Sequence, residues 1–128
     1  MIINCIYNVE KEERSLDCIF CKIIKKEIPS KTIYEDDRVI MFEDINPQAP
    51  FHALVVPKIH VPTVLELKSE NSDYLFKVFE VISKVMKEKG YSTDGFRTVL
   101  NTNQAAGQTV FHMHFHVLAG RLLMWPPG

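Results

Sequence analysis

Apolar positions along the chain change their spacing several times, and each change marks an element. From Ser72 to Lys89, the residues Leu75, Val78, Phe79, Ile82, Val85 and Met86 fall on one stripe, which predicts an amphipathic helix. Asn71 or Ser72 can cap its start, Lys87 and Lys89 suit its negative end, and Gly90 suits the turn beyond. A shorter helix is expected over Cys18 to Glu27, capped by Asp17, burying Phe20, Ile23 and Ile24 and stopped by Pro29. Thr32 to Glu35 and Val39 to Glu43 read as strands of a hairpin around Asp36-Asp37. After the loop Asn46 to Pro50, Ala53 to Val56 read as a short buried strand ended by Pro57. Phe96 to Asn101 and Phe111 to Leu118 give two more strands, joined by the polar loop Thr102 to Thr109. Too few helices separate these strands for repeated parallel crossovers. The pattern therefore predicts an α+β fold, a mostly antiparallel sheet with helices packed on one side.

The first fourteen residues show no sustained period and end in the charged run Glu10 to Arg14. They are expected to form a loosely held extension, 1–14, ahead of a single domain, 15–128. A length of 128 residues suits one core. Apolar residues make up 46% and charged residues 24%, the profile of a globular chain. The net charge of −1 lacks the basic surplus that drives general nucleic-acid binding. No apolar run approaches the ~20 residues of a membrane helix, and the N-terminus has no positively charged start of a secretory signal. Three cysteines, an odd number, do not suggest a disulfide framework. These features point to a cytoplasmic protein, the nucleus being the alternative, with no nucleic-acid or membrane partner.

Three of the five histidines sit in one pentapeptide, His112-Met113-His114-Phe115-His116. On a strand, residues two apart share a face, so the three imidazoles form a row with Met113, Phe115 and Val117 in the core behind. A lone strand histidine is usually structural; three in register point to function. Such a row could chelate a metal, or one imidazole could attack an electrophile while its neighbours orient it and bind charge. The loop just upstream favours the second reading. Gly107, Gln108 and Thr109 supply backbone N–H groups, an amide and a hydroxyl that could gather around phosphate.

Gly107 to Phe111 followed by His112-Met113-His114-Phe115-His116-Val117-Leu118 resembles the signature of the histidine-triad (HIT) family. The likeness runs from Cys18-Ile19-Phe20-Cys21 through Asp44-Ile45-Asn46-Pro47 and Pro57-Lys58-Ile59-His60 to the closing Trp125-Pro126-Pro127-Gly128. That ending is similar to the nucleotide-binding branch once called protein kinase C inhibitors or interacting proteins. The resemblance implies a five-stranded antiparallel sheet with two helices, dimerising into a ten-stranded sheet, with the C-terminal tail near the partner's site. It implies a hydrolase of the adenosine 5′-monophosphoramidase type, cleaving purine nucleoside phosphoramidates through a nucleotidyl-histidine intermediate. His114 matches the nucleophile. His116 and the backbone of Gly107, Gln108 and Thr109 match the phosphate-binding groups. Asp44 matches the ribose-binding carboxylate, Phe20, Ile23 and Ile45 the surroundings of the base, and Asn101 a polar group near ribose and phosphate. His52 matches an imidazole supporting the triad from behind. Thr109 stands where the family offers serine, which keeps the hydroxyl and adds a methyl. A dinucleoside-polyphosphate hydrolase of the same family, a non-catalytic nucleotide-binding interaction module and a zinc hydrolase are the competing readings.

Cys18 and Cys21 have the C-x-x-C spacing that can bring two thiolates to one metal. A redox pair is the weaker alternative, since nothing like a strand precedes Cys18; two small buried side chains are the bland one. The resemblance extends to relatives that hold zinc with two such cysteines and two histidines. Here these would be Cys18, Cys21, His60 and His112, a closed structural site, with no cofactor required for catalysis.

Overall fold

The computed structural model describes residues 17–128. The expected extension over residues 1–14 lies outside the described residues. Five strands form one sheet: β1 (Thr32–Glu35), β2 (Val39–Glu43), β3 (Phe51–Pro57), β4 (Arg97–Leu100) and β5 (Phe115–Ala119). Their order is β1-β2-β3-β5-β4, and every neighbouring pair is antiparallel. Among the described residues, two α-helices complete the α+β fold, α1 (Ile19–Ile24) and α2 (Ser72–Lys89). None of the described helices is long and apolar enough to cross a membrane.

The helices lie on opposite faces of the sheet, which corrects the one-sided arrangement expected from element order. Val39, Met41, Ala53 and Val55 pack with Val78, Val81, Ile82, Val85 and Met86 of α2. The alternate residues Ile40, Phe42, Leu54 and Val56 pack with Phe20, Cys21, Ile23 and Ile24 of α1. This is why β2 and β3 read as unbroken apolar runs: a strand covered on both faces has no solvent side to mark with polar residues.

The long helix has the bounds its pattern predicts, and Gly90 closes it in the left-handed region at φ 86°. Asn71 is its N-cap but makes no side-chain cap bond; its Oδ1 accepts from Lys68 N–H instead. Phe79 is 52% exposed although it belongs to the apolar stripe, its ring resting against Phe115 only at the edge of the core.

Two other elements are shorter than expected. α1 ends at Ile24, because Lys26 turns into the left-handed region at φ 67°. Lys26 N–H then donates to Ile23 O and Glu27 N–H to Lys22 O, closing the helix before Pro29 is reached. Its N-cap is Cys18, whose Sγ accepts from Cys21 N–H, not Asp17. β5 begins at Phe115, not Phe111, since its partner runs out. Val55 faces Phe115, and a longer ladder would bring Met113 opposite Pro57, which has no N–H to give. Met113 N–H donates instead to Val61 O at 2.7 Å.

Candidate active site

The histidine row survives the shortening of β5. His112 lies in a bend ahead of the strand, His114 immediately before its first residue and His116 within it, while Met113, Phe115 and Val117 point into the core with α2. The rings of His114 and His116 have centroids 5.2 Å apart, and Phe20 of α1 stands edge-on to His114 at 4.9 Å.

Hydrogen bonds to groups that can act in only one sense fix the ring protons. Pro57 O can only accept, so His112 donates from Nε2 at 2.8 Å and keeps its Nδ1 lone pair. His112 O can only accept, so His114 donates from Nδ1 at 2.8 Å and its Nε2 carries the lone pair. Gln48 N–H can only donate, at 2.9 Å to His52 Nδ1, which leaves the proton of His52 on Nε2. That Nε2–H lies 2.9 Å from His116 Nδ1, and Nε2 of His116 is then the protonated atom. Neighbouring histidines of the row therefore present opposite characters, a bare nitrogen on His114 and an N–H on His116.

Burial keeps these rings neutral. It pushes His116 down to about 4, with the charges of His114 and His52 adding to the shift and Asp44 opposing it. His114 and His52 are also lowered, mainly by burial, against the pull of the Asp44 carboxylate. An uncharged imidazole at neutral pH is what a nitrogen nucleophile requires.

Asp44 Oδ2 lies 3.4 Å from His52 Nε2 and 3.9 Å from His116 Nδ1, while Oδ1 accepts from Asn46 N–H at 2.8 Å. The ligand atoms of Asp44, His52 and His116 fall within 4.8 Å of one another. The 2.9 Å separation of the two nitrogens is nonetheless shorter than the about 3.3 Å edge that two imidazoles span on a tetrahedral ion. It is the length of a shared proton.

The second donor set is different. Cys18, Cys21, His60 and His112 are all buried, with their ligand atoms within 4.8 Å of one another. His112 Nδ1 lies 3.5 Å from both sulfurs, and His60 Nδ1 lies 3.4 Å from Cys21 Sγ. Zn–S and Zn–N bonds of about 2.3 and 2.05 Å at a tetrahedral angle give an S···N edge of about 3.6 Å, so the cluster already has that size. The bond to Pro57 O aims the His112 lone pair into the cluster, the usual outer support of a metal-bound imidazole. Burial raises the Cys18 thiol, against hydrogen bonds from Cys21 and Phe20. A cation is the ordinary remedy for a thiolate in such surroundings.

The loop before the triad is closed by its own hydrogen bonds. Gly107 N–H donates to Gln104 O and Gln108 N–H to Asn103 O, so both amides are consumed in closing the turn, with Gly107 at φ 91°. The Gln108 side chain is buried as a brace, accepting from Asn103 N–H and donating to Pro62 O and Val110 O. Both the amide and the side chain of Gln108 are thus engaged within the loop, while Thr109 is exposed. Phe20 and Ile23 are buried, Ile45 is fully exposed, and Asn101 follows the last residue of β4 half-buried. Gln48 and Arg121 gave no signal in the sequence, since one lies in a proline-flanked loop and the other in the tail. Yet Gln48 sets the tautomer of His52, and Arg121 donates twice to Gln48 O, at 3.1 and 3.0 Å.

The HIT domain model matches residues 25–123. The purine nucleoside phosphoramidase of Escherichia coli is 45% identical over 107 residues, 84% of this chain and 90% of that protein. A HIT family hydrolase from Legionella pneumophila superposes with a TM-score of 0.85 at 41% identity, covering 87% of this chain and 99% of its own. A histidine triad protein from Clostridium difficile gives 0.82 at 48% identity, covering 85% and 95%. The chain belongs to the HIT domain family.

Proposed function

We propose that this protein is a nucleotide-binding hydrolase that cleaves purine nucleoside phosphoramidates through a covalent histidine intermediate. The observation that carries this reading is the opposition of tautomers along the row: a bare Nε2 on His114 beside an N–H on His116. The name of the Escherichia coli relative supports the substrate class.

In this reading, His114 Nε2 attacks phosphorus and the bond from phosphorus to the leaving amine breaks. The amine takes up a proton from the Thr109 hydroxyl or from His116. The His116 N–H faces the charge that builds on the phosphoryl oxygens, where a preoriented donor counts most in the transition state. Water then attacks phosphorus as the bond to His114 breaks, a proton of that water replaces the one given to the amine, and AMP leaves with the His114 lone pair restored. Asp44 holds the ribose hydroxyls, Ile45 supplies an exposed apolar surface for the base, and Phe20 fixes the His114 ring. A dinucleoside-polyphosphate hydrolase would use the same row, so the leaving group distinguishes the two.

Cys18, Cys21, His60 and His112 would hold a structural zinc. When bound, it would supply positive charge to the buried Cys18 thiolate and to that of Cys21, whose sulfur is disulfide-bonded in this structure and would have to be reduced first, and it would tie α1 to the approach of β5. His112 is then committed as a ligand, which leaves His114 and His116 for the substrate. A second copy of the chain completes the assembly: β4 is an outer strand of the sheet, and Phe76 and Phe79 on α2 are exposed. The apolar tail residues Leu122, Met124 and Trp125 are exposed as well, and a partner would cover them.

Replacing His114 with Gly should cut turnover of a fluorogenic adenosine phosphoramidate by more than about a thousandfold while AMP still binds. Retained turnover excludes His114 as nucleophile. A wild-type protein that binds AMP but turns over no phosphoramidate would favour the interaction module.

A further inference from the structure

The triad is connected to the C-terminal tail by a continuous chain of hydrogen bonds. Arg121 donates from Nε and Nη2 to Gln48 O, at 3.1 and 3.0 Å, across 73 positions of sequence. Gln48 N–H donates to His52 Nδ1 at 2.9 Å, and His52 Nε2–H donates to His116 Nδ1 at 2.9 Å. Gln48 is therefore pinned at both of its backbone polar atoms, one by the tail and one by the site.

A separate observation shows that tail and loop are built to meet. Gly120 has φ +97°, and a Cβ there would stand 2.8 Å from Pro50 Cβ. Only glycine allows the turn out of β5 to come this close to the loop, and it delivers Arg121 onto Gln48. Arg97 holds the next stretch, donating from Nη2 to Leu123 O and Met124 O.

The geometry points to Arg121 as a positioning residue for catalysis, holding Gln48 so that His52 and His116 keep their tautomers. The inference rests on the reading of His116 as the donor to phosphate. Without the guanidinium, the Gln48 N–H loses its fixed direction and His52 can move its proton to Nδ1. His52 Nε2 would then accept from His116 Nδ1, and His116 would turn a lone pair toward an anionic phosphate. Because the His52–His116 bond has one donor and one acceptor, a proton that moves on His52 forces the opposite move on His116.

The test uses the full chain and compares Arg121→Ala, Arg121→Lys and Gly120→Ala with the wild type. Arg121→Ala should lower kcat on an adenosine phosphoramidate about tenfold, with KM and the unfolding midpoint nearly unchanged. That is less than the ~100-fold a 1 Å misplacement near the chemistry can cost, because the arginine is exposed. Arg121→Lys, which keeps one donor, should recover part of the loss, and Gly120→Ala should show the same kcat defect. Nitrogen-15 NMR of the imidazoles should show protonated Nε2 on His52 and His116 in the wild type and mixed tautomers in Arg121→Ala. Unchanged tautomers in Arg121→Ala overturn the inference, whatever happens to kcat. So does a kcat loss matched by an equal loss of stability. If the wild type turns over no phosphoramidate, the proposed function fails, yet the NMR comparison still decides whether Arg121 controls the pair.

Discussion

The two faces of the sheet solve the same packing problem with different materials. One face carries an eighteen-residue helix, α2, and a core of Val39, Met41, Val55, Met86, Met113 and Phe115 with no titratable side chain in it. Among the described residues, the other carries the six-residue α1, and beside its apolar cluster stand His52, His60, His112 and His114, all buried. The helix face is held by area removed from water, which is insensitive to direction. The histidine face is held by directional bonds, each with one permitted donor. Burial keeps the imidazoles there neutral, and their hydrogen bonds aim them.

Removing the zinc proposed for the histidine face should produce the largest effect on stability. Structural zinc in small domains binds with an apparent ~10–16 kcal/mol, and even a fraction of that exceeds most single core truncations. Metal analysis of protein purified without chelator should find about one zinc per chain. A calorimetric scan with a strong chelator should then show a lower unfolding midpoint, while turnover per folded molecule changes little. Metal-free protein with an identical midpoint would leave the short helix held by its own packing and erase the contrast.

Met86→Ala, a fully buried position on α2, comes next. It should cost about 2–5 kcal/mol in denaturant unfolding and leave kcat per folded molecule unaltered. A kcat loss larger than the loss of folded protein would mean that the faces are not separable.

A smaller effect is expected from the sugar. If Asp44 accepts the ribose hydroxyls, losing such a charge-assisted bond costs about 1.5–3 kcal/mol, so dAMP should bind more weakly than AMP in a calorimetric titration. Equal affinities would take Asp44 out of the nucleotide site.

The histidine face should also contribute to a pH slope of stability. His116 is held at about 4 in the folded protein, against ~6.5 in an unfolded chain. Between these values the unfolded state binds the extra proton, so this contribution to stability is full above ~6.5 and falls as pH drops toward 4. His116→Gln should flatten that slope between pH 4 and 7, whereas Met86→Ala should leave it as steep as in the wild type.

Much of this was legible in the sequence. The bounds of α2 followed from periodicity and the glycine after it, because a long amphipathic helix marks its own face and its own end. The row of His112, His114 and His116 was expected from the two-residue repeat of a strand; only His116 lies within β5, and His112 sits in a bend ahead of it. The set Cys18, Cys21, His60 and His112 was proposed from a resemblance, and its donor atoms do converge. Periodicity and a resemblance reveal such features because local spacing and matched motifs encode them.

What only the tertiary structure decided is of another kind. The end of α1 depended on a left-handed Lys26, which no residue type announces. The start of β5 depended on the missing N–H of Pro57 in a different strand, and the placing of α1 and α2 on opposite faces depended on which alternate residues each one covers. The amides of Gly107 and Gln108, which composition offered to phosphate, are consumed by carbonyls of the turn they close. The protons on His52, His114 and His116 are set by partners as distant as Gln48 and, through it, Arg121. A side chain's type is written in the sequence; the direction of its hydrogen bond depends on an acceptor or donor that only folding brings within 3 Å.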